Sequence, residues 1–209
     1  MSQTLIILGA GVMQGPAIKI AKELSFFTIV LDGSSTAENI PMADRFEQID
    51  LKDKEGIETF AKSIQRSVSK LGIMTAGTDF SSSVAWVCEK LGLPGIPYEA
   101  ALNASDKSRM RQCFKKACLP SPEFITITEN EISSSFLPQA EGLTLLSFPV
   151  VIKPVDNMGA RGCRKVDSIE EFAEAAKTAI GFSSLKTKFA TGSLPCGKNF
   201  VCPPLSVWT

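Results

Sequence analysis

Short apolar runs alternate with amphipathic stretches through the first hundred residues. Residues 4–8 are apolar and close on Gly9-Ala10-Gly11, the pattern of a buried strand. Pro16 suits a first helical turn, and Ala17, Ile20, Ala21 and Leu24 then recur at i, i+3, i+4 and i+7, predicting a helix with those residues inward. Residues 27–31 form a second apolar run that ends in Asp32-Gly33, a turn signal, and residues 46–51 read as a third strand. Ile57, Phe60, Ala61, Ile64 and Val68 mark one helical stripe. Residues 73–76, followed by Gly77, read as a fourth strand. Val84, Val87, Cys88 and Leu91 then mark a helix stopped by Gly92 and Pro94. Strand and helix in this alternation predict an α/β layer with a mostly parallel sheet.

Beyond a Gly/Pro-rich joint at 91–97 the pattern changes. Ser105-Asp106 opens a short basic helix with Met110, Phe114 and Ala117 inward, halted by Pro120 and Pro122. Residues 123–128 alternate like a strand. Residues 148–153 read as another, with Val150 and Ile152 on one face and Val151 and Lys153 on the other. A loop over 154–162 leads to a return strand at 163–166, and Ser168 is expected to cap a helix running to about residue 180. This half predicts an α+β unit, a small antiparallel sheet with helices on one side.

Composition removes several chemistries. The 22 basic and 22 acidic residues cancel, so charge gives no case for nucleic acid or an anionic membrane. The absence of histidine excludes Ser-His-Asp triads, imidazole bases and histidine-containing zinc sites. No segment approaches the ~18 continuous apolar residues of a membrane helix, and the start lacks the basic region of a signal peptide. The six cysteines are scattered without zinc spacing, as expected of reduced thiols in a cytoplasmic protein. After Glu174 there are no acids, while Lys177, Lys186, Lys188 and Lys198 continue to the end.

Three constellations could carry chemistry. The turn Gly9-Ala-Gly11-Val-Met-Gln-Gly15, with Asp32 ending the next strand, could hold a dinucleotide. Its spacing is G-x-G-x-x-x-G rather than the G-x-G-x-x-G of NAD folds, and a tight turn explains it as well. Thr75-Ala-Gly-Thr78-Asp79 sits at a strand's carboxyl end, where ligands of open parallel sheets gather, or it simply caps the next helix. Lys153 precedes the polar loop Pro-Val-Asp156-Asn157-Met158-Gly159-Ala160-Arg161-Gly162. Free backbone amides and two cations suit phosphate, and a hairpin turn with a snorkelling lysine is the alternative.

These residues together resemble the ATP-grasp carboxylate–amine ligases, relatives of biotin carboxylase and the carbamoyl phosphate synthetase large subunit. The carrying residues are Thr75–Asp79, Glu89-Lys-Leu-Gly-Leu-Pro-Gly95, Asp106-Lys107 with Met110-Arg111, and Phe148 through Gly162. With the glycine turn they cover about residues 4–183. The resemblance implies a Rossmann-like pre-ATP-grasp domain over 1–97 and the first α+β half of an ATP-grasp domain over 98–183. It also implies ATP and magnesium as cofactors, with phosphoryl transfer to a carboxylate and attack by an amine on the acyl phosphate. By position, Lys107 and Lys153 match the lysines that contact ATP phosphates. Residues 156–162 match the flexible loop over the triphosphate, and Gly11, Thr78 and Asp79 are expected to bind substrate. Small-molecule carboxylate and amine substrates, and a homodimer, are the expected partners.

Nothing after residue 183 resembles the family's second half, which supplies adenine contacts and magnesium ligands. Residues 184–209 are therefore expected to be a divergent tail without that half's strands. The chain is expected to be an incomplete ligase, binding ATP weakly and turning nothing over alone. No metal ligands and no catalytic residue are assigned. A catalytically inactive nucleotide- or partner-binding remnant and an NAD-binding Rossmann protein are the alternatives.

Overall fold

The computed structural model describes residues 3–129, 148–157, 159–183 and 188–193. The chain divides into two compact units between Ser105 and Asp106. In the first, β1 (Gln3–Leu8), β2 (Phe27–Asp32), β3 (Arg45–Gln48) and β4 (Lys70–Thr75) form a parallel sheet in the order β3-β2-β1-β4. The β1 and β2 runs are apolar without alternation because helices cover both faces. Ile6, Leu8, Ile29 and Leu31 pack with Ile57 and Ala61 of α2 (Lys54–Gln65) and Val87 and Cys88 of α3 (Ser81–Leu91). On the other face Ile7 and Val30 meet Ile18 and Ala21 of α1 (Gly15–Glu23).

The stripe expected on α1 is corrected by this packing. Ile18 and Ala21 face the sheet, while Ile20 and Leu24 are 54% and 66% exposed. The helix is apolar on two sides, and the strand beneath selects one of them.

The joint between the units also differs from expectation. α3 ends at Gly92, whose φ of +64° is the left-handed conformation glycine adopts freely. The chain then forms α4 (Tyr98–Ser105), which the sequence pattern did not predict, and folds back on α3. The Tyr98 ring meets Trp86 edge-on at 5.1 Å, and the Tyr98 amide donates to Glu89 Oε2 at 3.0 Å. These contacts hold residues 98–105 against α3, within the first compact unit.

Asp44, just before β3, ties that edge to β2. Its carboxylate accepts from Lys22 Nζ at 2.7 Å and from the Thr28 amide and hydroxyl, each at 2.8 Å. The Lys22 bond, then the Thr28 amide, holds its pKa below the usual carboxylate value. A lowered folded-state pKa stabilises above the unfolded value and is lost as pH falls through the folded one. Asp44→Ala should therefore destabilise by about 1 kcal/mol at pH 7. The difference from wild type should shrink in urea melts as pH falls below the ordinary aspartate range and through the lowered folded-state pKa.

In the second unit, Asp106 caps α5 (Lys107–Lys116) by accepting from the Ser108 and Arg109 amides. β5 (Phe124–Thr128), β6 (Val150–Pro154), β7 (Arg164–Val166) and β8 (Lys188–Ser193) form an antiparallel sheet in the order β5-β8-β6-β7, backed by α6 (Phe172–Phe182). Val150 and Ile152 are buried against Phe172, Ala176 and Ala179. Three local expectations change. Ala117 is exposed, and the buried residue of α5 is Ser108, whose hydroxyl meets Thr126 at 2.8 Å. Ser168 does not cap a helix: α6 starts at Phe172 with Glu171 as N-cap. The segment expected to be a tail without regular strands holds β8, which pairs on both edges in the middle of the sheet. Among the described residues no helix is long and apolar enough to cross a membrane.

Candidate functional site

The two candidate regions belong to different units. In the first, β1 and β4 are neighbours in a parallel sheet, so the turns that follow them meet at its carboxyl end. This brings Gly11 into the same region as Thr78 and Asp79. The glycine turn is filled by its own chain. Gln14, 4% exposed, accepts from the Gly11 amide at 3.0 Å and donates to the Ala76 carbonyl. Asn39 donates to the Gly11 carbonyl at 2.7 Å. Asp32 accepts from the Ala10 amide and the Ser34 amide, each at 2.9 Å. The carboxylate that a dinucleotide would need for its ribose thus already holds the turn together, and the geometry lends the NAD reading no support.

The Thr78 hydroxyl lies 2.7 Å from that of Thr75, which donates to the Leu8 carbonyl. The first turn of α3 has Phe80 as N-cap, with no side chain capping it. Asp79, one position earlier, is exposed at the sheet end.

The second unit gathers the cationic residues around the loop after β6. Lys107, at the first position of α5, donates from its backbone amide to the Val155 carbonyl at 2.9 Å. Its Nζ donates to the Asn157 carbonyl at 2.7 Å and to that of Val155 at 3.4 Å. Lys153 stands on β6, on the half-buried face opposite Val150 and Ile152. Both lysine charges act on the Cys163 thiol, Lys153 more strongly. Burial of the sulfur by its surroundings raises its pKa, and the two charges offset part of that rise; the residue as a whole remains exposed. Lys107 is thus bonded to the loop directly, and Lys153 stands on the strand that leads into it.

The loop itself is anchored to α6. Asn157 donates from Nδ2 to the Phe182 carbonyl at 2.9 Å and accepts at Oδ1 from Arg161 at 3.1 Å. The buried Ser183 donates to Asp156 Oδ1 at 2.7 Å. Asp156, Asn157, Gly159, Ala160, Arg161 and Gly162 are therefore brought together, and Met158 lies outside the described residues. Sequence reasoning missed Gln14, Asn39 and Ser183. Each is a common polar residue whose partner lies in another element, which leaves no local signal.

Gly162 marks where this loop can fail. Its φ is +73°, and an added Cβ would stand 2.9 Å from Phe182 Cδ2 and 3.0 Å from Pro154 Cγ. Gly159 has a similar φ of +69° with open space around it. Gly159→Ala should cost about 1 kcal/mol and Gly162→Ala about 3 kcal/mol, read from urea denaturation midpoints.

No protein-family profile matches the sequence. A D-alanine–D-alanine ligase of Marinobacter nauticus is 35% identical over 101 residues, covering 46% of this chain and 29% of that protein. The solved structures that resemble the chain are ATP-grasp carboxylate–amine ligases, matched over their N-terminal halves. Phosphoribosylglycinamide synthetase from Anaerococcus prevotii aligns with a TM-score of 0.61 at 25% identity, covering 92% of this chain and 46% of that one. The biotin carboxylase domain dimer of Hydrogenobacter thermophilus 2-oxoglutarate carboxylase, in complex with MgADP and bicarbonate, aligns with a TM-score of 0.66 at 19% identity. There the match covers 93% of this chain and 45% of that one. The chain thus spans about a third of the curated relatives and just under half of the solved structures.

Proposed function

We propose that this chain, a relative of the ATP-grasp carboxylate–amine ligases, holds the phosphates of ATP in its second unit for transfer to a carboxylate. The observation that supports this reading is the loop after β6: Lys107 Nζ holds it through the Val155 and Asn157 carbonyls, Asn157 and Asp156 tie it to the end of α6, and Lys153 stands on the strand that leads into it. Phosphoryl transfer asks chiefly for positioning and charge neutralisation, and lysines and backbone amides supply both without histidine.

In the proposed reaction a carboxylate oxygen attacks the γ-phosphorus and ADP leaves. An amine then adds to the carbonyl carbon of the acyl phosphate and expels inorganic phosphate. Lys153 and Arg161 balance charge on the phosphates. Lys107 shapes the loop through the carbonyls it binds and adds its own charge. Residues 156–162 cover the triphosphate and exclude water that would hydrolyse the acyl phosphate. The sheet end at Thr78 and Asp79 takes the small substrate. With the Gly11 amide engaged by Gln14, the two side chains are the groups to test first.

Among the described residues no three Cys, Asp or Glu side chains stand together as a metal site. A magnesium ion held through one or two carboxylates and the phosphates of ATP needs no such cluster. Metal ligands and the adenine wall would come from the other half of the fold. The 209-residue protein alone is then expected to bind ATP weakly and to form no ADP from mixtures of carboxylates and amines. Turnover that Lys153→Met abolishes would overturn the incompleteness and keep the ligase. Absence of ATP binding in calorimetry would remove both. The same kinship supports a homodimer, to be read by light scattering.

A further inference from the structure

The outward side of α1 is apolar, which a helix lying on a sheet does not require. Ile18 and Ala21 already fill its inward side. Pro16, Ile20 and Leu24 recur every fourth residue along the outer side, and all three are exposed, Ile20 by 54% and Leu24 by 66%. Single exposed apolar side chains are ordinary, but a row of them along one helix marks an interaction surface.

The charges beside the row indicate what covers it. Lys19 and Glu23 lie on one flank of Ile20, a turn apart, with side chains 70% and 62% exposed. Their own pairing at 4.0 Å is a surface contact worth little in water. Lys22, the other cation of the helix, is engaged by Asp44 at 2.7 Å. The free flank therefore carries one cation and, a turn later, one anion. That order is self-complementary. A two-fold axis near residue 21 or 22 sets the same flank of two helices face to face with their directions reversed. Lys19 of one copy then faces Glu23 of the other, twice over, and Ile20 of one packs beside Leu24 of the other.

We propose that α1 is the contact between two copies of this chain, packed antiparallel about a two-fold axis. Pro16, Ile20 and Leu24 form its apolar centre and the Lys19–Glu23 pairs its rim. The inference rests on the homodimer proposed above and assigns the surface that forms it.

The test is analytical ultracentrifugation of the full 209-residue protein and its variants. Wild type should show a monomer–dimer equilibrium. Ile20→Glu and Leu24→Glu should each weaken dimerisation about ten-fold or more, because the axis places two acids in the apolar centre. Both positions are exposed, so these variants should keep the wild-type circular dichroism. Lys19→Glu and Glu23→Lys should each weaken dimerisation roughly three- to ten-fold, and the double exchange should recover wild-type affinity. Phe27→Ser removes an exposed apolar side chain on the other face of the sheet, beside Ile29, and should leave the dimer unchanged. A wild-type monomer at every concentration would remove the homodimer and this surface together. A dimer that Ile20→Glu and Leu24→Glu leave intact would keep the homodimer and take α1 out of it. A double exchange no tighter than the single ones would overturn the antiparallel pairing. An equal loss in Phe27→Ser would show general adhesion of apolar surface in place of this contact.

Discussion

Replacing Lys153 with methionine will lower the affinity for ATP by about ten- to a hundred-fold, and Arg164→Met will change it less than about two-fold. Both residues are cations near the same loop, so composition does not separate them. Structure does. Lys153 stands on the half-buried face of β6 and acts on the Cys163 thiol together with Lys107. Arg164 is exposed and lies 3.8 Å from a still more exposed Glu174. A phosphate held beside Lys153 gains a charge-assisted hydrogen bond in partly desolvated surroundings, while a surface pair gains little against water and salt. In a full-length ligase carrying this unit, the Lys153 loss should reach about a hundred-fold or more in turnover, because phosphoryl charge grows towards the transition state. Isothermal titration on the chain and ADP release in the ligase measure the two effects. Equal losses for both variants would show that the loop does not hold phosphates.

Phe172→Ala should destabilise the second unit by about 3–5 kcal/mol, the largest effect expected of any single truncation there. Phe172 is 1% exposed and packs with Val150, Ile152, Ala176 and Ala179, where small helix residues let the ring lie close to the sheet. Removing the ring leaves a cavity that β6 and β7 cannot close without breaking their pairing with each other and with β8. Ile169→Ala, at a position 40% exposed, should cost less than about 1 kcal/mol. Denaturant midpoints of the two variants at one protein concentration give the comparison. Similar costs would mean that the second unit has no ordered core around α6.

The sequence by itself determined what depends on near neighbours along the chain. Unbroken apolar runs at β1 and β2 required burial on both faces and so an α/β layer. The Val150–Ile152 alternation marked the inner face of β6, and Asp106 marked the start of α5. The sequence also sets glycine, amide and cation within one short loop after Lys153, which is where the phosphate reading comes from.

Tertiary structure decided whatever depended on a partner far along the chain. Lys188-Phe-Ala-Thr-Gly-Ser193 has no alternation and a glycine near its end, yet it is a strand because β5 and β6 both offer it a ladder. Two apolar sides of α1 competed, and the sheet took Ile18 and Ala21. Gln14 looked like part of an open glycine turn and instead fills it through Gly11 and Ala76. Lys107 read as a ligand for phosphate, and the fold gives it the Val155 and Asn157 carbonyls, some fifty residues away. Backbone pairing and side-chain reach across elements carry no local period, and so these features became legible only once the chain was folded.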